Sequence, residues 1–115
     1  MAYIIDLEDV LERLQNDYGL LFELIADFQK DYTKKRKLIE KALKEKKFDQ
    51  VKYLAHSLKG EAGNLSIASM QSCFMLIESH LTETGDTALI KDVLNEIDGQ
   101  FKELQQFALN LRKKL

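Results

Sequence analysis

The sequence predicts an all-α fold: an antiparallel up-and-down four-helix bundle with a short additional N-terminal helix. Three observations carry that expectation. Proline is absent from the 115 residues, where ordinary usage of about 5% leads one to expect about six. Glycine is held to five, so breakers are scarce and good helix formers such as Lys, Glu, Leu, Gln and Ala prevail. Apolar residues recur at three- and four-residue steps, the spacing of one face of a helix.

The first helix is expected over about 6–16. Asp6 can accept an orphan backbone N–H, with Asp9 three residues on and Ile5 and Val10 as the apolar pair across the cap. The second, over about 18–46, carries Leu21, Leu24, Ile25, Phe28, Tyr32, Ile39, Ala42 and Leu43 on one stripe and charge on its back. Asp49, between Phe48 and Tyr53, repeats the cap-and-staple pattern and opens a helix over about 49–64. Ser66, between Leu65 and Met70, does the same for a helix over about 67–84. Gly85 is a natural stop, and Asp86 starts the last helix, over about 87–114. Its stripe is Ile90, Val93, Leu94, Ile97, Phe101, Leu104, Ala108 and Leu111. Connectors of two or three residues force neighbouring helices to run antiparallel.

Length and charge narrow the function classes. A chain of 115 residues fits one domain over 1–115 and buries a core without metal or disulfide staples. Seventeen basic against nineteen acidic residues give a net charge of −2, no field for nucleic acid or an anionic membrane. The run Lys34-Lys35-Arg36-Lys37, with Lys44, Lys46 and Lys47, reads as a solvated face and a C-terminal turn. Cys73 is the single cysteine, which fits a reducing compartment. No apolar run approaches the ~18 residues that span a bilayer, and the start lacks the pattern of a signal peptide. A cytoplasmic monomer is expected.

The third helix breaks the pattern of the others. At about 100° per residue, Val51, Leu54, Ala55, Leu58, Ala62 and Leu65 share one arc, and His56 lies about 150° from its centre. The ring therefore points outward. Lys52, Lys59, Gly60 and Gly63 stand at i−4, i+3, i+4 and i+7 on the same exposed stripe. Each glycine costs about 1 kcal/mol of helix stability relative to alanine, and core packing does not require either. What their missing side chains provide is access to the imidazole for another protein's backbone or a bulky group. Lys59 places a mobile cation where an anion on the ring would sit. An imidazole of ordinary basicity, near 6.5, is largely neutral at cell pH, and its free nitrogen can form a covalent intermediate. Phosphoryl transfer asks mainly for positioning and charge neutralisation, and this stripe offers some of both.

The run Ala55-His56-Ser57-Leu58-Lys59-Gly60-Glu61-Ala62-Gly63-Asn64-Leu65 resembles the signature of histidine-containing phosphotransfer (HPt) domains, Ala-His-x-Leu-Lys-Gly followed by small residues. The similarity extends to Ile5 through Leu14, to Leu21 through Phe28 and to Leu76-Ile77-Glu78. It implies a four-helix bundle that carries phosphoryl groups in a multistep two-component relay. His56 would take the group, on Nε2, from a receiver-domain aspartate or a sensor histidine kinase and pass it to another receiver. Lys59 would stabilise the phosphoryl group and Gly60 open the approach. Glu78, 22 residues after the histidine, aligns with a carboxylate or amide position of the family. A carboxylate there can accept the Nδ1 proton and leave Nε2 free to attack. Tyr53, Ser57, Asn64 and Met75 flank the stripe as candidate partner contacts, alongside Lys52, Gly60 and Gly63. The resemblance implies no cofactor of the chain's own, with Mg2+ confined to the receiver partner, and no ATP site, so the chain is a phosphotransfer intermediate and not an enzyme. One position departs from the pattern: the glycine usual ten residues after the histidine is Ser66.

Other readings fit less well. His56, His80, Cys73 and Glu78 are potential metal ligands, but Glu78-Ser79-His80 lacks the Glu-x-x-His spacing of a di-iron bundle, and Cys73 reads as a packed thiol. No acid pair, phosphate loop or nucleophile elbow suggests a hydrolase. The remaining alternative is a helical interaction module without chemistry.

Overall fold

The computed structural model describes residues 3–83 and 87–115. Over these it contains five helices and no strand: α1 (Leu7–Arg13), α2 (Tyr18–Lys44), α3 (Phe48–Asn64), α4 (Ala68–Glu83) and α5 (Thr87–Lys114). Helix α2 packs on α3, α3 on α4, α4 on α5 and α5 on α2, which closes the bundle; α1 packs on α2. Helices α2 and α5 have 27 and 28 residues, about 40 Å each at 1.5 Å per residue. They set the long axis of a particle 45 × 23 × 20 Å across. Helices α3 and α4, of 17 and 16 residues, are too short to accompany them throughout. The N-terminal segment and α1 fill in beside the α3–α4 turn, where Ile5, Val10 and Leu11 are buried.

Most of the expected stripe residues form the core, with Leu24, Phe101, Ala108 and Leu111 half-buried against it. Leu21, Ile25, Phe28, Tyr32, Ile39, Ala42 and Leu43 of α2 meet Val51, Leu54, Ala55, Leu58 and Ala62 of α3, with Phe74, Ile77, Ile90, Leu94, Ile97 and Leu104 from α4 and α5. Cys73 is buried with them and accepts a contact from Gln100 Nε2 at 3.6 Å. It is a packed thiol, as expected.

Two of the expected caps are wrong, for related reasons. Asp6 caps α1, accepting from the Asp9 N–H at 3.1 Å. Asp49 caps nothing: α3 begins one residue earlier at Phe48, after Lys47, and Tyr53 is 72% exposed and forms no staple. Ser66 does not cap α4 either. It sits past the end of α3 at φ 58°, where its N–H bonds to Gly63 O and the Ile67 N–H to Ala62 O, both 3.0 Å. That pair of bonds is the Schellman closure of a helix. Helices α1 and α2 end the same way, through Gln15 at φ 54° and Lys46 at φ 58°. The left-handed position usually held by glycine is thus filled three times by residues with a Cβ, which hides these stops from a search for glycine. Asp17, not anticipated as a cap, accepts from the Leu20 N–H at 2.9 Å and starts α2. The expected stop at Gly85 and start at Asp86 lie outside the described residues.

Ser66 at the left-handed position also ties the N-terminal segment and α1 to the α3–α4 turn. Its carbonyl accepts from the Asp6 N–H at 3.0 Å, its hydroxyl donates to Asp9 Oδ2 at 2.6 Å, and Arg13 donates to that hydroxyl. A glycine would adopt this φ at less cost but would forfeit the side-chain bonds that hold α1 on the α3–α4 turn.

The basic run of α2 is only partly a solvated face. Lys34 and Lys37 are exposed, whereas Lys35 and Arg36 are half-buried. Arg36 Nε and Nη2 donate to the two oxygens of Asp98 on α5, each at 3.2 Å. Tyr32 donates its hydroxyl to Asp98 Oδ1 at 2.5 Å. Burial, followed by that carboxylate, pushes the Tyr32 phenol well above its ordinary value, so it stays a donor. Its ring stacks on Phe101 at 4.6 Å. Asp98→Ala leaves the Tyr32 hydroxyl and the Arg36 guanidinium without this partner. We expect a loss of about 2 kcal/mol, read as a lower denaturant midpoint with helical circular dichroism retained.

Candidate functional site

Helix α3 exposes what its core arc cannot use. Ala55 and Leu58, on either side of His56 in sequence, are fully buried, so the imidazole is turned outward and its side chain is 68% exposed. The outward orientation expected from periodicity is therefore present.

Glu78 of α4 reaches the ring. Its Oε2 lies 3.3 Å from His56 Nδ1, and its Oε1 lies 3.0 Å from Lys59 Nζ. One carboxylate, a quarter exposed, thus bridges the imidazole and the ammonium one turn along. A neutral imidazole that donates from Nδ1 keeps its lone pair on Nε2, at the open edge of the ring. Gly60 adds to that openness: a Cβ built there meets nothing within 4 Å.

The other residues of the stripe divide. Gly63, expected to face solvent for access, is half-buried, and a Cβ there would fall 2.7 Å from Gln71 Nε2. Its missing side chain makes room for Gln71 of α4. Ser57, expected to be a partner contact, is half-buried and accepts from Lys35 Nζ at 2.6 Å on the α2 side. Asn64 is exposed two turns along, beside a cleft lined by Leu24, Asp27 and Glu61. Tyr53 and Met75 are exposed on α3 and α4, and Lys52 is half-buried. His80 is half-buried. Among the described residues, no group of three His, Cys, Asp or Glu side chains could hold a metal ion.

Periodicity along single helices did not reveal the cluster behind Ser57. Lys35 forms ion pairs with Asp31 at 2.7 Å and with Glu61 at 3.3 Å, and the two carboxyl groups hydrogen-bond each other. Burial, followed by the bond to Asp31, pushes Glu61 up to about 7. The bond from Glu61 and the Lys35 ammonium hold Asp31 below its ordinary value, against desolvation. Burial works against the Lys35 charge, but the two carboxyl groups outweigh it and raise its pKa. The readable signal was a pair of i, i+4 steps, Asp31 to Lys35 and Ser57 to Glu61, on helices that the short connector makes neighbours.

Glu61 thus binds a proton in the folded chain where the unfolded chain, with an ordinary value of 4.5, has lost it. Stability falls as pH rises from 4.5 through 7. We expect the melting temperature to decline between pH 5 and pH 8 and this decline to flatten in Glu61→Gln, as measured by thermal melts across that range.

No helix among the described residues is long and apolar enough to cross a membrane. Neither a curated protein nor a solved structure matches the chain. The family model of the Hpt domain matches residues 23–107, from the first turns of α2 into the last third of α5, with His56, Lys59, Gly60 and Glu78 inside the match. With most of its length covered, the chain belongs to the Hpt domain family, the histidine phosphotransfer domains of phosphorelays.

Proposed function

We propose that His56 is the phosphorylated residue of a carrier between two receiver domains, or between a sensor histidine kinase and a receiver. The observation that carries the proposal is the exposed imidazole whose Nδ1 faces Glu78 at 3.3 Å beside the bare backbone of Gly60. Nε2 attacks the phosphorus of a receiver's aspartyl phosphate, forming an N–P bond as the P–O bond to that aspartate breaks, and the N–P bond is broken in turn when the next receiver's aspartate attacks the phosphorus. Such transfer depends on positioning and charge neutralisation more than on covalent chemistry by the scaffold. Glu78 fixes the tautomer, Lys59 neutralises phosphoryl charge, and Gly60 lets the partner's pocket close over the ring. Tyr53 and Lys52 on α3 and Met75 on α4 border the contact. On this reading the phosphoryl group is generated outside the chain, Mg2+ belongs to the receiver's pocket, and the cytoplasm is the compartment where such partners meet it.

Incubation with a phosphorylated receiver domain is expected to label the chain with acid-labile, alkali-stable phosphate. His56→Gln should lose that label while its helical circular dichroism is unchanged; a labelled mutant would defeat the assignment. Gly60→Gln should raise stability by about 1 kcal/mol through better helix propensity and yet slow transfer by filling the approach. If its stability and its transfer rate both rose, Gly60 would have no part in access.

A further inference from the structure

Glu78 does more in this geometry than orient the ring. Its two oxygens serve different partners, Oε2 the His56 Nδ1 and Oε1 the Lys59 ammonium. The cation expected on the phosphoryl group is therefore engaged elsewhere in the resting chain. We propose that Glu78 is a positioning residue that holds Lys59 until a phosphoryl group draws it away, and whose remaining charge keeps the phosphohistidine short-lived. The inference rests on the phosphocarrier reading of His56.

The charges explain why. A neutral imidazole, the Lys59 ammonium and the Glu78 carboxylate sum to zero. In the transfer step the Nε2 lone pair forms the N–P bond while the P–O bond to the donor's carboxylate breaks, its electron pair leaving on that carboxylate. Nδ1 keeps its proton, and the ring becomes an N-phosphorylated imidazolium opposite Glu78 Oε2. A dianionic phosphoryl group now competes with Oε1 for the Lys59 ammonium, which has the reach and rotational freedom of a lysine head group.

The fixed carboxylate then has two effects. By accepting from Nδ1–H it favours the protonated ring, from which the phosphoryl group departs most readily. By retaining a share of Lys59 it leaves part of the phosphoryl charge uncompensated. Loss to water is balanced in the same terms: water attacks phosphorus, the N–P electron pair returns to Nε2, and inorganic phosphate carries off the water's protons. A short-lived phosphohistidine suits a relay that passes the group on and does not store it.

Glu78→Gln separates the two grips, because an amide oxygen can still accept from Nδ1–H but carries no charge for Lys59. The full chain, phosphorylated with the small donor phosphoramidate and freed of it, is followed by loss of the label at neutral pH. We expect the phosphohistidine of Glu78→Gln to live about fivefold longer, the factor for unit charges about 4 Å apart in water-like surroundings. Adding Lys59→Gln to that variant should remove much of the gain. Nitrogen-15 spectra of the unphosphorylated chain should show Nδ1–H with bare Nε2 in the wild type and in Glu78→Gln, and mixed tautomers in Glu78→Ala. Equal lifetimes in wild type and Glu78→Gln, with His56 labelled in both, would overturn this role and leave the carrier reading standing. No label on the wild type would overturn both.

Discussion

Burying one face of α3 decides where everything else in this molecule can stand. Val51, Leu54, Ala55, Leu58 and Ala62 are all buried, and large apolar side chains contribute about 1.5–3 kcal/mol each when withdrawn from water. Rotating the helix to bring His56 inward would expose that arc. The imidazole is outside because the leucines are inside. No interaction of the histidine itself is needed to explain its exposure.

The neighbours of α3 then give its two flanks different characters. On the α4 side Glu78 couples the ring to Lys59, and the missing side chain of Gly63 makes room for Gln71. On the α2 side Ser57 and Glu61 are tied to Lys35, which also pairs with Asp31, and burial beside Asp31 favours the protonated form of Glu61. The first flank is organised around a reactive nitrogen. The second secures the register of α2 against α3, one turn from the ring.

The far end of the bundle solves a geometric problem. Helices α2 and α5 outrun α3 and α4, and their apolar stripes would continue into water. The N-terminal segment and α1 cover part of this length, held by Asp6, Asp9 and Arg13 on Ser66. A residue with a hydroxyl in a left-handed turn is costlier locally than glycine. It is placed where the backbone reverses and where a second segment needs an anchor, so one position meets two requirements.

Amphipathic spacing and the lack of proline were sufficient to establish the five helices, their core stripes and the outward direction of His56, because those features depend on periodicity within one helix. The ends of α1, α2 and α3 lie within three residues of their expected bounds, but the left-handed residues that close them, Gln15, Lys46 and Ser66, were not legible, since the closure rests on backbone bonds that any residue able to accept a positive φ can make. The neighbours of Ser57 and Gly63 were missed for a different reason. An angle on a helical wheel separates core from surface but says nothing about which surface a neighbouring helix covers. The Glu78 bridge lay between these cases. Its reach toward His56 was foreseeable from antiparallel packing, whereas its hold on Lys59 required the distance between two helices, a quantity decided by how their side chains interlock.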